Sequence, residues 1–173
     1  MKITGIGTID NFCISLIKLY NHGLYWKMRG SVVDPKSKCP KFIKCLFLVL
    51  LKIMDEYHCA FIGTGIGYGA YFDSPPSLPH GLNGIVIHEK ARFGKNCTIL
   101  HQVTFGGSVC NGQPVAPVVG DNCLFGAGAK ILGGVNIGNN VKVGANAVVT
   151  KDMPDNVTCV GIPAKIIKRD YEK

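Results

Sequence analysis

Two histidines stand where chemistry could be done. His80 lies in Leu78-Pro79-His80-Gly81-Leu82-Asn83-Gly84, a glycine-rich, turn-forming stretch, so its imidazole is expected on an accessible corner and not in a core. An imidazole titrating near ~6.5 can accept the proton of a hydroxyl while that hydroxyl attacks a thioester, and can then return it to the leaving thiol. No covalent enzyme intermediate is required. His101, in Ile99-Leu100-His101-Gln102-Val103, sits at the third place of a local repeat, at a corner from which it could reach an active site or lie between subunits. His88 occupies a place that glycine usually fills and reads as structural, while His22 and His58 read as helix and cap residues.

The scaffold for these residues is a period of six. Units begin at Val119, Phe125, Ile131, Ile137, Val143 and Val149, and the fifth place of each is again apolar or small: Cys123, Ala129, Val135, Val141, Ala147 and Met153. A helix repeats at 3.6 residues and a strand at 2, so neither alone gives this pattern. A solenoid of very short strands separated by corners does, each unit packing on its neighbours. Glycine fills most second places, Gly120, Gly126, Gly138 and Gly144, and is expected there to supply unusual backbone angles. The same phase begins near Ile62 and Ile66, falters from Asp73 to Asn83 around three prolines, and returns at Ile87, Phe93, Ile99 and Phe105. Residues 107–117 break it and are expected to leave the coil as a loop, where a rigid scaffold commonly carries function.

These units resemble the hexapeptide repeats of acyltransferases built on a left-handed parallel β-helix, in which three hexapeptides make one triangular coil. Residues 58–168 resemble, more narrowly, serine acetyltransferases and the related enzymes that acetylate sugar hydroxyls. The resemblance implies a mainly β fold, acetyl-CoA as cosubstrate, a small hydroxyl-bearing acceptor and a homotrimer with each active site between two solenoids. It places His80 as catalytic base; His101 is kept as a second catalytic candidate. It also implies that the pantetheine arm runs past Gly106, Gly107, Ala127 and Ala145, with Lys142 and Lys165 as point charges for the cofactor's phosphates. The chain departs from the pattern twice. Pro79 stands where these enzymes carry an Asp before the histidine, leaving Asp34, Asp73 and Glu89 as candidate partners. Val115-Ala116 stands where their excursion carries an Arg-His pair that grips the amino acid. Without that cation a carboxylate has no evident anchor, so the expected acceptor is a saccharide, with serine as the alternative.

A γ-carbonic-anhydrase-like zinc lyase on the same solenoid would need three histidines around one metal. His80, His88 and His101 are spaced by 8 and 13, not by multiples of six. No metal is therefore expected, and a scaffold without turnover is the remaining reading.

Composition bounds the rest. The chain has 173 residues and 22 glycines, an excess that belongs to the repeats. Residues 1–56 hold nine Lys or Arg against four Asp or Glu, which reads as a solvated basic face and not as a nucleic-acid surface. Eight cysteines without a CxxC pair or a leader predict reduced thiols and a cytoplasmic protein. Helices are expected from Asp10 to about Arg29, with a break near Gly23, and from Pro40 to near Tyr57, forming an N-terminal helical cap over residues 1–58. The solenoid follows over 59–168 and a tail over 169–173. The run from Phe42 to Met54 is interrupted by Lys44 and Lys52, too short for the ~20 apolar residues of a membrane span.

Overall fold

The structure, a computed structural model, describes residues 22–34, 36–62, 65–67 and 69–169. The chain divides into two compact units, residues 1–57 and 58–173.

In the first unit, α1 runs His22–Val33 and α2 runs Lys41–Ile62. Most of the first expected helix falls outside the described residues. What is described starts at His22, next to the break expected near Gly23, and corrects the expectation at the other end: α1 continues through Gly30 to Val33. It stops at Asp34 because the residue before Pro35 is pushed out of the helical region. The second helix also overruns its expected end near Tyr57, since no glycine or proline interrupts the chain before Gly63. Pro40 precedes its first turn, where a missing N–H costs nothing, and its carbonyl accepts the Lys44 N–H at 3.0 Å. Tyr25, Trp26, Met28 and Leu51 are buried here, and the Tyr25 hydroxyl donates to Asp55 Oδ1 at 2.9 Å. Burial pushes the Asp55 carboxyl up to about 6, against the opposing pull of the Tyr25 hydrogen bond and the Arg29 charge. Among the described residues no helix is long and apolar enough to cross a membrane.

The second unit is a left-handed parallel β-helix. Its first face stacks β1 (Gly65–Ile66), β3 (Val86–Ile87), β6 (Thr104–Gly106), β11 (Lys130–Leu132) and β14 (Val148–Val149). A second face stacks β2 (Tyr71–Phe72), β4 (Arg92–Phe93), β9 (Val118–Val119) and β12 (Asn136–Ile137). The third holds β5 (Thr98–Ile99), β10 (Leu124–Phe125), β13 (Lys142–Val143) and β15 (Val157–Val160), closed by the antiparallel β16 (Lys165–Arg169).

First and fifth places of the units fill the interior. Ile87, Phe105, Ile131 and Val149 line one wall, and Cys97, Val103, Cys123, Ala129, Val141 and Ala147 pack at the bends, all buried. Phe93, Phe105 and Phe125 meet edge to face, with centroids 4.7 and 4.8 Å apart, and burying each contributes about 1.5–3 kcal/mol.

The second-place glycines are present for a different reason than unusual backbone angles. None of Gly120, Gly126, Gly138 and Gly144 has a positive φ; a Cβ on Gly126 would instead lie 2.5 Å from the Ala145 nitrogen in the next coil. Most left-handed residues of the coils sit at the fourth place, among them Asn96, Gln102, Asn122, Gly128, Asn140 and Asn146, with φ between 54° and 73°. Asparagine tolerates that region better than other side chains with a Cβ. Two of these asparagines also bond their counterparts one coil on, Asn96 to Asn122 at 3.2 Å and Asn140 to Asn156 at 2.8 Å.

Two insertions interrupt the coils. Three extra residues precede Ile87, and they fold into the turn that carries His80, with Gly81 and Gly84 both at positive φ. The segment 107–117 is a β-hairpin and not an irregular loop: β7 (Ser108–Cys110) pairs antiparallel with β8 (Gln113–Val115). Its turn, Asn111-Gly112, has φ of 49° and 72°. Positive φ at both central residues is what a two-residue hairpin of this hand requires.

Candidate active site

His80 and His101 meet at the corner between the third face and the first. Their rings stand edge to face, with centroids 5.0 Å apart and an interplanar angle of 87°. His80 is exposed and His101 half-buried. Several local contacts hold this corner. Gln102 N–H donates to the Asn83 carbonyl at 2.8 Å, and Gly128 N–H donates to the His101 carbonyl at 3.0 Å. Gly84 lies so close over Gln102 that a Cβ would come within 3.0 Å of Gln102 Cγ, and its φ of 64° favours glycine independently. The His80 turn is thereby pressed onto the coil that carries His101.

Ala127 and Ala145 continue the same corner, one coil at a time, each two residues past the buried residue of its third-face strand. Asn146 N–H donates to the Ala127 carbonyl at 2.9 Å, keeping the stack in register. The two alanines add little more than a methyl group to the surface, so the corner beyond the histidines is shallow. Lys142 and Lys165 stand exposed on the adjoining third face, Lys142 in β13 between Leu124 and Thr158, Lys165 opposite Val160.

Gly106 and Gly107 lie elsewhere. They end the first face at its far corner, where the hairpin departs, and within one chain they are not brought to the histidines. The ring of His88 packs there, so close that a Cβ on Gly107 would come 2.6 Å from His88 Cδ2, and its Nδ1 accepts the Lys90 N–H at 3.1 Å. His88 thus stands at a different corner from the other two histidines. Among the described residues, no three His, Cys, Asp or Glu side chains gather to hold a metal. Of the carboxylates weighed as partners of His80, Asp73 follows the second-face strand, its N–H bonded to Phe93, and Glu89 packs against Gly67 and Gly69. Asp34 belongs to the other unit.

Lys130 went unnoticed in the sequence. Its Nζ donates to the Gln102 carbonyl at 2.7 Å and to Thr104 Oγ1 at 3.1 Å, tying down the backbone just after His101. A lysine at the sixth place of a unit carries no signal of this. The hairpin did have one, the Asn-Gly pair. The buried thiols take no part: the Cys97 sulfur as hydrogen-bond partner, together with burial, pushes the Cys123 thiol up, and burial alone does so for Cys159.

Comparison with known proteins agrees with this architecture. Residues 116–151 match the bacterial transferase hexapeptide family, six repeats. A serine acetyltransferase of Staphylococcus xylosus is 41% identical over 122 residues, 70% of this chain and 56% of that protein. The crystal structure of a Brucella abortus serine acetyltransferase in complex with coenzyme A superposes with a TM-score of 0.65 at 34% identity, over 77% of this chain and 51% of that one. That of the Neisseria gonorrhoeae enzyme does so with a TM-score of 0.66 at 28% identity, over 87% and 69%. The chain spans a little over half the length of the curated relatives it matches. By repeat, sequence and fold, the chain carries bacterial-transferase hexapeptide repeats and is similar to serine acetyltransferases over about 70% of its length.

Proposed function

We propose that this chain is an acetyl-CoA-dependent O-acetyltransferase with His80 as general base. The observation that carries the reading is an exposed imidazole at the head of a corner line that continues through His101, Ala127 and Ala145. The thioester carbonyl would sit beside His80 and the pantetheine arm along the alanines, with Lys142 and Lys165 offering charge to the phosphates. In the reaction the acceptor oxygen attacks the carbonyl carbon as His80 takes its proton. The tetrahedral intermediate then breaks its C–S bond, and His80 returns the proton to the departing sulfur.

Serine is the acceptor the relatives' names favour, in place of the saccharide expected from the missing Arg-His pair. A saccharide stays as the second reading because the hairpin strands Ser108–Cys110 and Gln113–Val115, with the Asn111-Gly112 turn between them, carry no cation to meet a carboxylate. We also infer a homotrimer; supporting it, Gly106 and Gly107 lie at a different corner from His80, so a neighbouring protomer would have to supply them. The cytoplasm, where acetyl-CoA is made and thiols stay reduced, is the compartment we assign.

Purified protein incubated with acetyl-CoA and either serine or a panel of nucleotide sugars, with released thiol followed spectroscopically, tests this. Turnover with serine is expected, and His80→Ala should lower it by about 10²–10⁴-fold. Turnover with sugars alone would reverse the choice of acceptor. Retained turnover in His80→Ala would remove His80 from the mechanism.

A further inference from the structure

An exposed imidazole on a turn is free to sample several staggered rotamers, and a general base is useful only when its nitrogen faces the proton it must take. The ordinary device is a carboxylate bonded to the far side of the ring. Here Pro79 precedes His80, while Asp73 and Glu89 are committed to other corners of the coil. What meets His80 instead is the ring of His101 at 5.0 Å and 87°.

His101 is itself firmly held. Its carbonyl accepts Gly128 N–H, the next residue's N–H bonds Asn83, and Lys130 caps that residue's carbonyl. Its Nδ1 is shielded from water and has no hydrogen-bond partner. A half-buried imidazole with an unpaired polar atom costs free energy that an alkyl side chain would avoid, so packing alone gives no reason for a histidine here. Edge-to-face contact is the preferred arrangement of two aromatic rings and fixes one against the other.

We propose that His101 is the positioning residue of His80, acting as a ring wall where, among the described residues, no carboxylate meets the imidazole; the role rests on the acetyltransferase reading above. The test uses His101→Ala and His101→Phe in the full chain, with thermal melts to establish that both fold. His101→Ala should lower kcat by about 10–100-fold, the cost of a misplaced catalytic group. The KM for acetyl-CoA should stay within about twofold, because binding in the ground state is untouched. His101→Phe keeps an aromatic face and should recover most of the rate. By NMR, the His80 ring protons should be displaced by the facing ring in the wild type and in His101→Phe, and should lose that displacement in His101→Ala. The proposal is overturned by an unchanged kcat in His101→Ala, by His80 resonances that ignore the substitution, or by a His101→Phe variant as slow as His101→Ala, which would assign chemistry to the ring nitrogens. If no acceptor supports turnover while the resonances behave as described, the acetyltransferase reading fails and the ring contact stands.

Discussion

Replacing Gly126 with alanine adds one methyl group, and the structure states what that group would meet. The φ of Gly126 is not in the left-handed region, so alanine suffers no backbone strain there and the whole cost is steric. The new Cβ would lie 2.5 Å from the Ala145 nitrogen, 2.8 Å from the Gly144 carbonyl carbon and 2.9 Å from the Ala145 Cα, all backbone atoms with no rotamer to turn aside. Relief requires the two coils to part by several tenths of an ångström. They are tied on either side of the contact by Gly126 N–H to Val143 O at 2.8 Å and Asn146 N–H to Ala127 O at 2.9 Å. Overpacking of this kind costs about 1–3 kcal/mol, and the rigid neighbours argue for about 2 kcal/mol. In a chain of this length that lowers Tm by roughly 4–8 °C. Gly30→Ala is the control: it sits inside α1, a Cβ there meets nothing within 4 Å, and helix propensity favours alanine by about 0.5–1 kcal/mol. Both variants should be melted side by side by circular dichroism. If Gly126→Ala melts with the wild type, close coil-to-coil approach is not why glycine occupies the second place.

Two further outcomes can be checked quickly. Because the Asp55 carboxyl is raised to about 6 by burial, the folded chain holds that proton more tightly than the unfolded chain does. Its contribution is therefore greatest below pH ~4 and is lost as pH rises through about 6; Asp55→Asn should flatten that slope in urea titrations and gain about 1–3 kcal/mol at pH 7. Among the thiols, Cys45 and Cys110 are exposed while Cys97, Cys123 and Cys159 are buried. Peptide mapping after brief alkylation should find label on the first two and none on the last three until denaturant is added.

The coils were legible because a six-residue period has few physical sources, and every first and fifth place from Val119 to Met153 points inward. What escaped were features set by backbone proximity in space. Close coil contact at Gly126 looks in sequence like any other glycine requirement, and the true left-handed places are held mostly by asparagine. The end of the first helix slipped because Gly30 is permissive and does not by itself break a helix. The meeting of His80 and His101 was hidden by arithmetic: they lie 21 residues apart, not a multiple of six. That is also the offset between Ile66 and Ile87 and between Phe72 and Phe93, because the turn lengthens that one circuit. For the acceptor, the missing Arg-His pair led the sequence reading to a saccharide, whereas the relatives' names favour serine.

Both departures from the period fall at bends. One circuit is longer by the turn before Ile87, and the next by the hairpin, yet Phe93 still pairs with Val119 and Ile99 with Phe125 across the longer detour. A bend is thus a splice point: chain can be let out or taken in there while the walls on either side stay in step. Such a scaffold can exchange the surfaces that meet its substrates without disturbing a single interior residue, so new preferences can arise by changing length alone.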